Sequence, residues 1–222
     1  MFYFPNTRKP DFRTAKSLDY DEYWRTRGFA VLAKLKEREV IMLEQIPADS
    51  SVLIVGCGNS RLPLDLRDKG CEVEIGDLSE AVLAGLLKEG IKGVKFDLNA
   101  PKTFTNIKSY DYIILSEVLE HIPLPEEALD VLKYHAKHLF ISLPNSAFYR
   151  YRLHLMFVGR FFTQWVHHPA EHLRFWSHTD FLDWLGAQDL VVEKSWPSNG
   201  PFLKNIWPNM FGHQMVYLCK PR

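Results

Sequence analysis

The stretch from Ser51 to Asp77, SVLIVGCGNSRLPLDLRDKGCEVEIGD, constrains the chain more than any other, because it reads as strand, glycine turn, helix, strand and terminal carboxylate. Val52, Leu53, Ile54 and Val55 form a short apolar run rich in β-branched residues, the pattern of a strand covered on both faces of a parallel sheet. Gly56 and Gly58 end it. Glycines there let the chain turn sharply and bring backbone N–H groups close to a ligand, while a helix begun near Arg61 or Leu62 points its positive end the same way. A second strand from Cys71 to Gly76 delivers Asp77, and an acidic side chain about 20 residues beyond such glycines is placed to accept hydrogen bonds from ribose hydroxyls. The stretch outlines a nucleotide-cofactor cradle, an outline that an ordinary α/β turn with glycines in it also shares.

Around this stretch, strands and helices alternate. SEAVLAGLLKEG, after Asp77, reads as a helix capped by Ser79, with Ala81, Val82, Leu86 and Leu87 on its apolar face and Gly90 at its end. Val94 to Phe96 is a third strand ending at Asp97, and Tyr112 to Leu115 a fourth, with Ser116 and Glu117 at its carboxyl end. Glu126 to Tyr134 is helical, and His138 to Leu143 is a fifth strand before Pro144. Such alternation makes a doubly wound, Rossmann-like parallel sheet whose ligands bind at the carboxyl ends of the strands, where Gly56, Asp77, Asp97 and Ser116 all fall.

The flanks depart from this rhythm. Phe148 to Val166 is aromatic and basic and reads as one helix that breaks near Gly159; Ser177 caps a helix from His178 to Leu185; Leu190 to Trp196 and His213 to Lys220 read as strands. The expected fold is therefore α/β: a mostly parallel seven-stranded sheet with an antiparallel C-terminal strand pair and a helical lid insertion ahead of it. At the other end, Met1 to Ser17 has no period and reads as an arm. Phe29 to Ile46 reads as a long helix, carried by Val31, Leu32, Leu35, Val40, Leu43 and Ile46 and stopped by Pro47. Tyr20, Tyr23 and Trp24, just before it, fit either packing or a cover over the cofactor.

Composition removes several classes. With 222 residues there is enough chain for one α/β domain with additions, and 46% hydrophobic and 24% charged residues suit a globular protein. Lys plus Arg number 27, as do Asp plus Glu, which argues against a protein built to coat nucleic acid. Cys57, Cys71 and Cys219, an odd number at scattered spacings, form neither a disulfide framework nor a CxxC metal site, so a reducing cytoplasm is the expected location. No stretch approaches the roughly 20 apolar residues that cross a bilayer, and the N-terminal residues lack the charged and apolar blocks of a secretion signal.

The order of motifs resembles class I S-adenosylmethionine-dependent methyltransferases over roughly Tyr20 to Lys220. VLIVGCGNS, Val52 to Ser60, is similar to that family's first motif, VLDxGCGxG: Gly56, Cys57 and Gly58 match, Ile54 replaces the usual acidic residue, and Ser60 replaces the usual third glycine. Asp77, followed by Leu78, matches the carboxylate that binds the adenosine ribose in the family. Asp97 in FDL matches the acidic residue beside the adenine amino group, with Leu98 at the ring. SEVLEHIP, Ser116 to Pro123, resembles the fourth-strand motif under the methionine portion, which adds Ser116 and Glu117 to the cofactor contacts. SLPNSAFYRYRLHL from Ser142, GRF from Gly159 and HPAEHLRFWSHTDFLDWL from His168 bring the chain nearest to MetW-like and related small-molecule methyltransferases.

The resemblance implies one methyltransferase domain over 1–222: an N-terminal arm and helix (1–48), a cofactor-binding core (49–145), a lid and substrate segment (146–188) and C-terminal strands (189–222). It implies S-adenosylmethionine as cofactor, S-adenosylhomocysteine as product, and a small-molecule or lipid- or glycan-linked acceptor. No nucleic-acid partner is expected, because Ser116 and Glu117 stand where base-methylating enzymes carry an Asn/Asp-Pro-Pro-aromatic motif. Two other readings compete. A non-catalytic cofactor-binding or scaffold protein is kept open by Ile54 and Ser60, whereas a nicotinamide-dependent oxidoreductase is disfavoured because Arg61 stands at the third glycine of GxGxxG.

A sulfonium cofactor carries its own leaving group, so the protein has mainly to hold an acceptor in line with the methyl, and a general base is optional. His121, Glu171 and His172 are the catalytic candidates, with Glu117, Glu120 and His168 near the same opening; Tyr149, Arg152, His168 and His172 are expected to touch substrate. Structural or cofactor-adjacent roles are the alternative for Glu120 and His121. Arg150, Arg152 and Arg160 among aromatic residues suit a packed helix with arginines reaching solvent, a lid over the acceptor, or peripheral contact with membrane lipid. HPAEH, His168 to His172, matches the HxxEH pattern of inverted zinc proteases, but that site needs both histidines on one continuous helix, and Ser177 already reads as a new cap, so no metal is expected.

Overall fold

The computed structural model describes residues 19–101, 107–159 and 171–222. The expected N-terminal arm, Arg160 and His168 lie outside the described residues. Strands β1 (Ser51–Val55), β2 (Glu72–Asp77), β3 (Lys92–Lys95), β4 (Tyr110–Ser116) and β5 (Ala136–Pro144) run parallel, and β6 (Leu190–Ser198) and β7 (Gln214–Pro221) complete the sheet as an antiparallel pair. The order is β3-β2-β1-β4-β5-β7-β6, the expected seven-stranded architecture. Winding reverses between β1 and β4, which makes their carboxyl ends the crevice in which such sheets bind ligands.

Helices α1 (Tyr20–Arg27), α2 (Glu37–Gln45), α3 (Leu62–Asp68), α4 (Glu80–Lys88), α5 (Pro125–Leu132), α6 (Tyr149–Val158), α7 (His178–Ala187) and the single turn α8 (Pro208–Phe211) surround the sheet. The central strands alternate between two cores. Leu53, Val55, Ile113 and Leu115 face a cluster with Leu129 and Leu132 of α5 and Phe181 and Leu185 of α7. Val52, Ile54 and Ile114 face Met42 of α2, Leu62 and Leu66 of α3, and Val82 and Leu86 of α4. Ser79 caps α4 by accepting from the Val82 N–H, and Ser177 and Asp180 form a reciprocal capping box at α7, as their positions in the sequence imply. No described helix is long and apolar enough to cross a membrane.

One element differs in kind. The helix expected over Phe29 to Ile46 is only Glu37–Gln45, and residues 28–36 are non-helical. Tertiary contacts override local propensity there. The Leu32 N–H donates to the Asn59 carbonyl at 3.0 Å, and the Asn59 side chain returns a bond to the Ala30 carbonyl at 3.2 Å, so this segment bonds to the glycine loop rather than to itself. Its apolar side chains Phe29, Val31 and Leu35 still pack on the core. Of the aromatic helix expected over Phe148 to Val166 with a break near Gly159, the part before the break is α6, capped by Gly159 at a φ of 67°, and residues 160–166 lie outside the described residues.

Candidate functional site

A cavity of about 490 Å³ opens at the strand ends, and Gly56, Cys57, Gly58, Asp77, Leu78, Asp97, Leu98, Ser116 and Glu117 all line it. The fold thus brings together every residue expected at the cofactor. Gly56 (φ 70°) donates its N–H to the Gly76 carbonyl at 2.7 Å, and a Cβ at this position would stand 2.6 Å from the Val118 side chain. Gly58 (φ 50°) passes under Trp24, whose ring would lie 3.0 Å from an added Cβ. Both positions need glycine for conformation and for space.

Asp77 is 6% exposed and is held by two backbone donors, Gly58 N–H to Oδ2 at 3.1 Å and Ser79 N–H to Oδ1 at 3.0 Å. Burial raises its pKa against the pull of those N–H groups. Each oxygen keeps acceptor capacity beyond its backbone bond, the geometry a pair of vicinal hydroxyls requires. Burial and the Asp77 charge push the neighbouring Cys57 thiol well up, so it stays protonated. Asp97 is fixed by the backbone and side chain of Asn99, at 2.9 and 3.1 Å.

The two departures from the family motif have local explanations. Ser60 Oγ accepts the Leu62 N–H at 3.0 Å, so the serine in the third-glycine position, just ahead of the Arg61 N-cap, satisfies the first N–H of α3. Ile54 is 2% exposed, packs in the core beneath the cavity, and leaves polar contacts at that wall to α2 and the residues leading into it. Lys36, Arg38 and Glu39 line the cavity there, and sequence reading missed them. Their signal was present: Arg38 lies one helical turn before the fully buried Met42, a charge on an apolar face. Arg38, 7% exposed, donates to Ser116 Oγ at 3.2 Å and to Gln214 Oε1 at 3.3 Å. Glu117 holds a left-handed φ of 56°, which costs a non-glycine residue energy, and its carboxylate accepts from Gln214 Nε2 at 2.6 Å. Burial raises the Glu117 pKa while the Arg38 charge opposes the rise.

At the opposite wall the cavity is lined by Tyr20, Tyr23 and Trp24 of α1 and by Glu120, His121, Glu171 and His172. The aromatic cover is held by Asp21, whose Oδ1 accepts from Ser79 Oγ at 3.0 Å and from the Ala81 N–H at 3.1 Å. The Glu120 carbonyl accepts from the N–H groups of Leu173 and Arg174 at 2.8 and 3.1 Å, which docks the 171–174 segment. His121 Nδ1 lies 2.7 Å from the Glu171 carbonyl; a carbonyl only accepts, so Nδ1 carries the proton and Nε2 faces Glu120 Oε1 at 4.0 Å. His172 meets the His121 ring edge-on, centroids 4.6 Å apart. Burial lowers the His121 pKa and, with the neighbouring His121, brings His172 down to about 3, so both rings are neutral. Burial and then Glu117 push the Glu120 carboxyl well up, and burial with Glu171 and Glu120 raises the Tyr20 phenol to about 12.

The catalytic candidates His121, Glu171 and His172 therefore meet in one place. Tyr149 and Arg152, expected to touch substrate, do not line the cavity: Tyr149 packs on Phe148 and Phe211, and Arg152 is engaged by the carbonyls of Ala147 and Asn209. Residues 171–175 are not helical, so the continuous helix of an HxxEH site is not formed there.

The chain matches the family described as "Methionine biosynthesis protein MetW" over residues 36–219. It is 31% identical over 177 residues to the bifunctional methionine biosynthesis protein MetXA/MetW of Rhodopirellula baltica, a match covering 70% of this chain and 27% of that protein. It is 32% identical over 113 residues to the ubiquinone biosynthesis O-methyltransferase of Azoarcus sp., covering 47% of this chain and 48% of that one. This chain thus spans less than half the length of either relative. Among solved structures, the magnesium protoporphyrin IX methyltransferase of Synechocystis PCC 6803, with bound S-adenosylmethionine, is similar with a TM-score of 0.58 at 15% identity, over 93% of this chain and 92% of that one. The glycine loop, the strand order and a family match across most of the sequence agree: the chain belongs to the MetW family and has the class I S-adenosylmethionine-dependent methyltransferase fold.

Proposed function

We propose that the chain binds S-adenosylmethionine in this cavity and transfers its methyl group to a small molecule or to the small head of a lipid- or glycan-linked acceptor. The observation that carries the reading is Asp77, a buried carboxylate oriented by the Gly58 and Ser79 N–H groups and turned to the cavity at the end of β2. In this reading Asp77 binds the ribose hydroxyls, while Asp97, Leu78 and Leu98 receive the adenine. Arg38 and Lys36 face the carboxylate of the amino-acid end. Glu39, 3% exposed and on the same wall, serves the amino group in place of the acidic residue that Ile54 displaces. The cofactor supplies an electrophilic methyl with its own leaving group. Tyr20, Tyr23 and Trp24 exclude water, and the end lined by His121, Glu171 and His172 receives the acceptor and its proton.

Calorimetry tests this directly. S-adenosylmethionine and S-adenosylhomocysteine should bind, NAD should not, and Asp77→Ala should weaken both by at least about 10-fold. Tight NAD binding would overturn the assignment.

A further inference from the structure

We infer that Glu120, His121 and His172 form a divalent-cation site at the acceptor end of the cavity. One ligand atom from each lies within 4.8 Å of the other two. Glu120 and His121 are neighbours on the turn Leu119–His121, and His172 is brought to them by the segment whose N–H groups bond the Glu120 carbonyl. Two of the three ligands come from adjacent residues and the third from about 50 positions away, an assembly made by the fold rather than by one element.

Glu120 gives the strongest indication. It is 2% exposed, and neither carboxyl oxygen has a hydrogen-bond donor among the described residues. Buried carboxylates are paired, hydrogen-bonded or bound to metal, because isolation from water is otherwise costly. The nearby cation, Arg38, is already engaged with Ser116 and Gln214. His121 adds a second, independent feature. Its Nδ1–H is donated to the Glu171 carbonyl, which fixes the ring and leaves the Nε2 lone pair directed at Glu120 across 4.0 Å. A histidine held by a carbonyl through one nitrogen, with the other presented bare, is the arrangement that orients metal-ligating imidazoles. An ion between them would bond the Nε2 lone pair and a Glu120 oxygen, displacing the carboxyl proton.

One carboxylate and two imidazoles suit Zn²⁺, Mn²⁺ or Fe²⁺ better than Mg²⁺ or Ca²⁺, which prefer all-oxygen shells. Metal–ligand bonds of about 2.0–2.2 Å in a tetrahedral shell put ligand atoms roughly 3.4 Å apart, so an ion would draw the side chains together by up to about 1.5 Å. Three protein ligands leave positions open on the cavity side, as in catalytic rather than structural sites. An oxygen ligand would complete the shell, so the class of acceptor favoured is a hydroxyl compound. That last consequence rests on the proposed methyl transfer; the ion site itself does not.

The test uses the full chain, stripped with chelator and titrated with Zn²⁺ or Mn²⁺ by calorimetry, beside a separate titration of the same metal-free chain with S-adenosylhomocysteine. One ion should bind per chain, and Glu120→Gln and His172→Gln should each weaken it by at least about 10-fold, with thermal melts showing that both variants are folded. Failure of either ion to bind the wild-type chain, or equal binding to wild type and both variants, overturns the site. S-adenosylhomocysteine binding without ion binding removes the cation and leaves the cofactor reading standing, and ion binding without S-adenosylhomocysteine does the reverse.

Discussion

Two buried polar clusters stand just past the ends of adjacent strands, and they are built on opposite rules. Beyond β5, Asn145 is fully buried and completely used: its Nδ2 donates to the carbonyls of Pro208, Asn209 and Gly212 at 3.3, 3.1 and 2.8 Å, and its Oδ1 accepts from the N–H groups of Ala147 and His178 at 3.0 and 3.1 Å. Its own N–H reaches the His213 carbonyl at 3.0 Å. Beyond β4, Glu120 is almost as deeply buried with both carboxyl oxygens unpartnered among the described residues. The amide ties β5 to α7 and to the loop around α8, and its partners offset the cost of burial. The carboxyl faces the cavity and opposes burial. Asn145 holds the fold together through its bonds, whereas Glu120, whose two carboxyl oxygens both lack a partner among the described residues, faces the cavity where a ligand would be met.

The contrast can be broken in several ways, of decreasing size. Asn145→Leu strands three carbonyls and two N–H groups at once, so denaturant melts should show a loss of about 3 kcal/mol or more; a loss under about 1 kcal/mol would mean that the knot does not hold the fold. Acidification should weaken the same region. Burial, with the Arg150 and Arg38 charges, brings the His213 pKa down to about 4 from an ordinary 6.5. Between those values the unfolded chain takes up a proton that the folded chain refuses, so stability falls as pH falls through this window, by up to ~1.4 kcal/mol per pH unit, and His213→Gln should flatten the slope. Asp77→Ala, at the cofactor end, should cost at least about 1.4 kcal/mol of S-adenosylhomocysteine binding in calorimetry. Glu120→Gln should change folding stability least, by no more than about 1 kcal/mol, because an isosteric neutral group replaces one that burial already disfavours as an anion. A loss of several kcal/mol in that variant would make Glu120 a structural group like Asn145.

Much of this was legible in the sequence. Val52 to Val55 and Tyr112 to Leu115 are apolar because both faces of a central parallel strand are covered, and such runs, ended by glycine or by Ser116, carry their own boundaries. Asp77 and Asp97 followed from being strand ends. What escaped depends on long-range contact. The bond between Arg38 and Gln214 joins residues 176 positions apart, and the bonds from Leu32 and Ala30 to Asn59 undo a helix that local periodicity favours. The places of Tyr149 and Arg152 outside the cavity were not legible, because an aromatic, basic pattern fits a lid and a packed surface helix equally, and their contacts with α8 are long-range. The meeting of Glu120 with His172 depends on backbone bonds to the Glu120 carbonyl, which no spacing rule records.

A crystal structure of the chain with S-adenosylhomocysteine tests the central claim most directly. The ribose hydroxyls should lie within about 3.2 Å of the Asp77 carboxylate, with the amino-acid end toward Arg38 and the sulfur facing the wall of His121 and His172. Ligand bound outside this cavity, or a ribose turned away from Asp77, would contradict it.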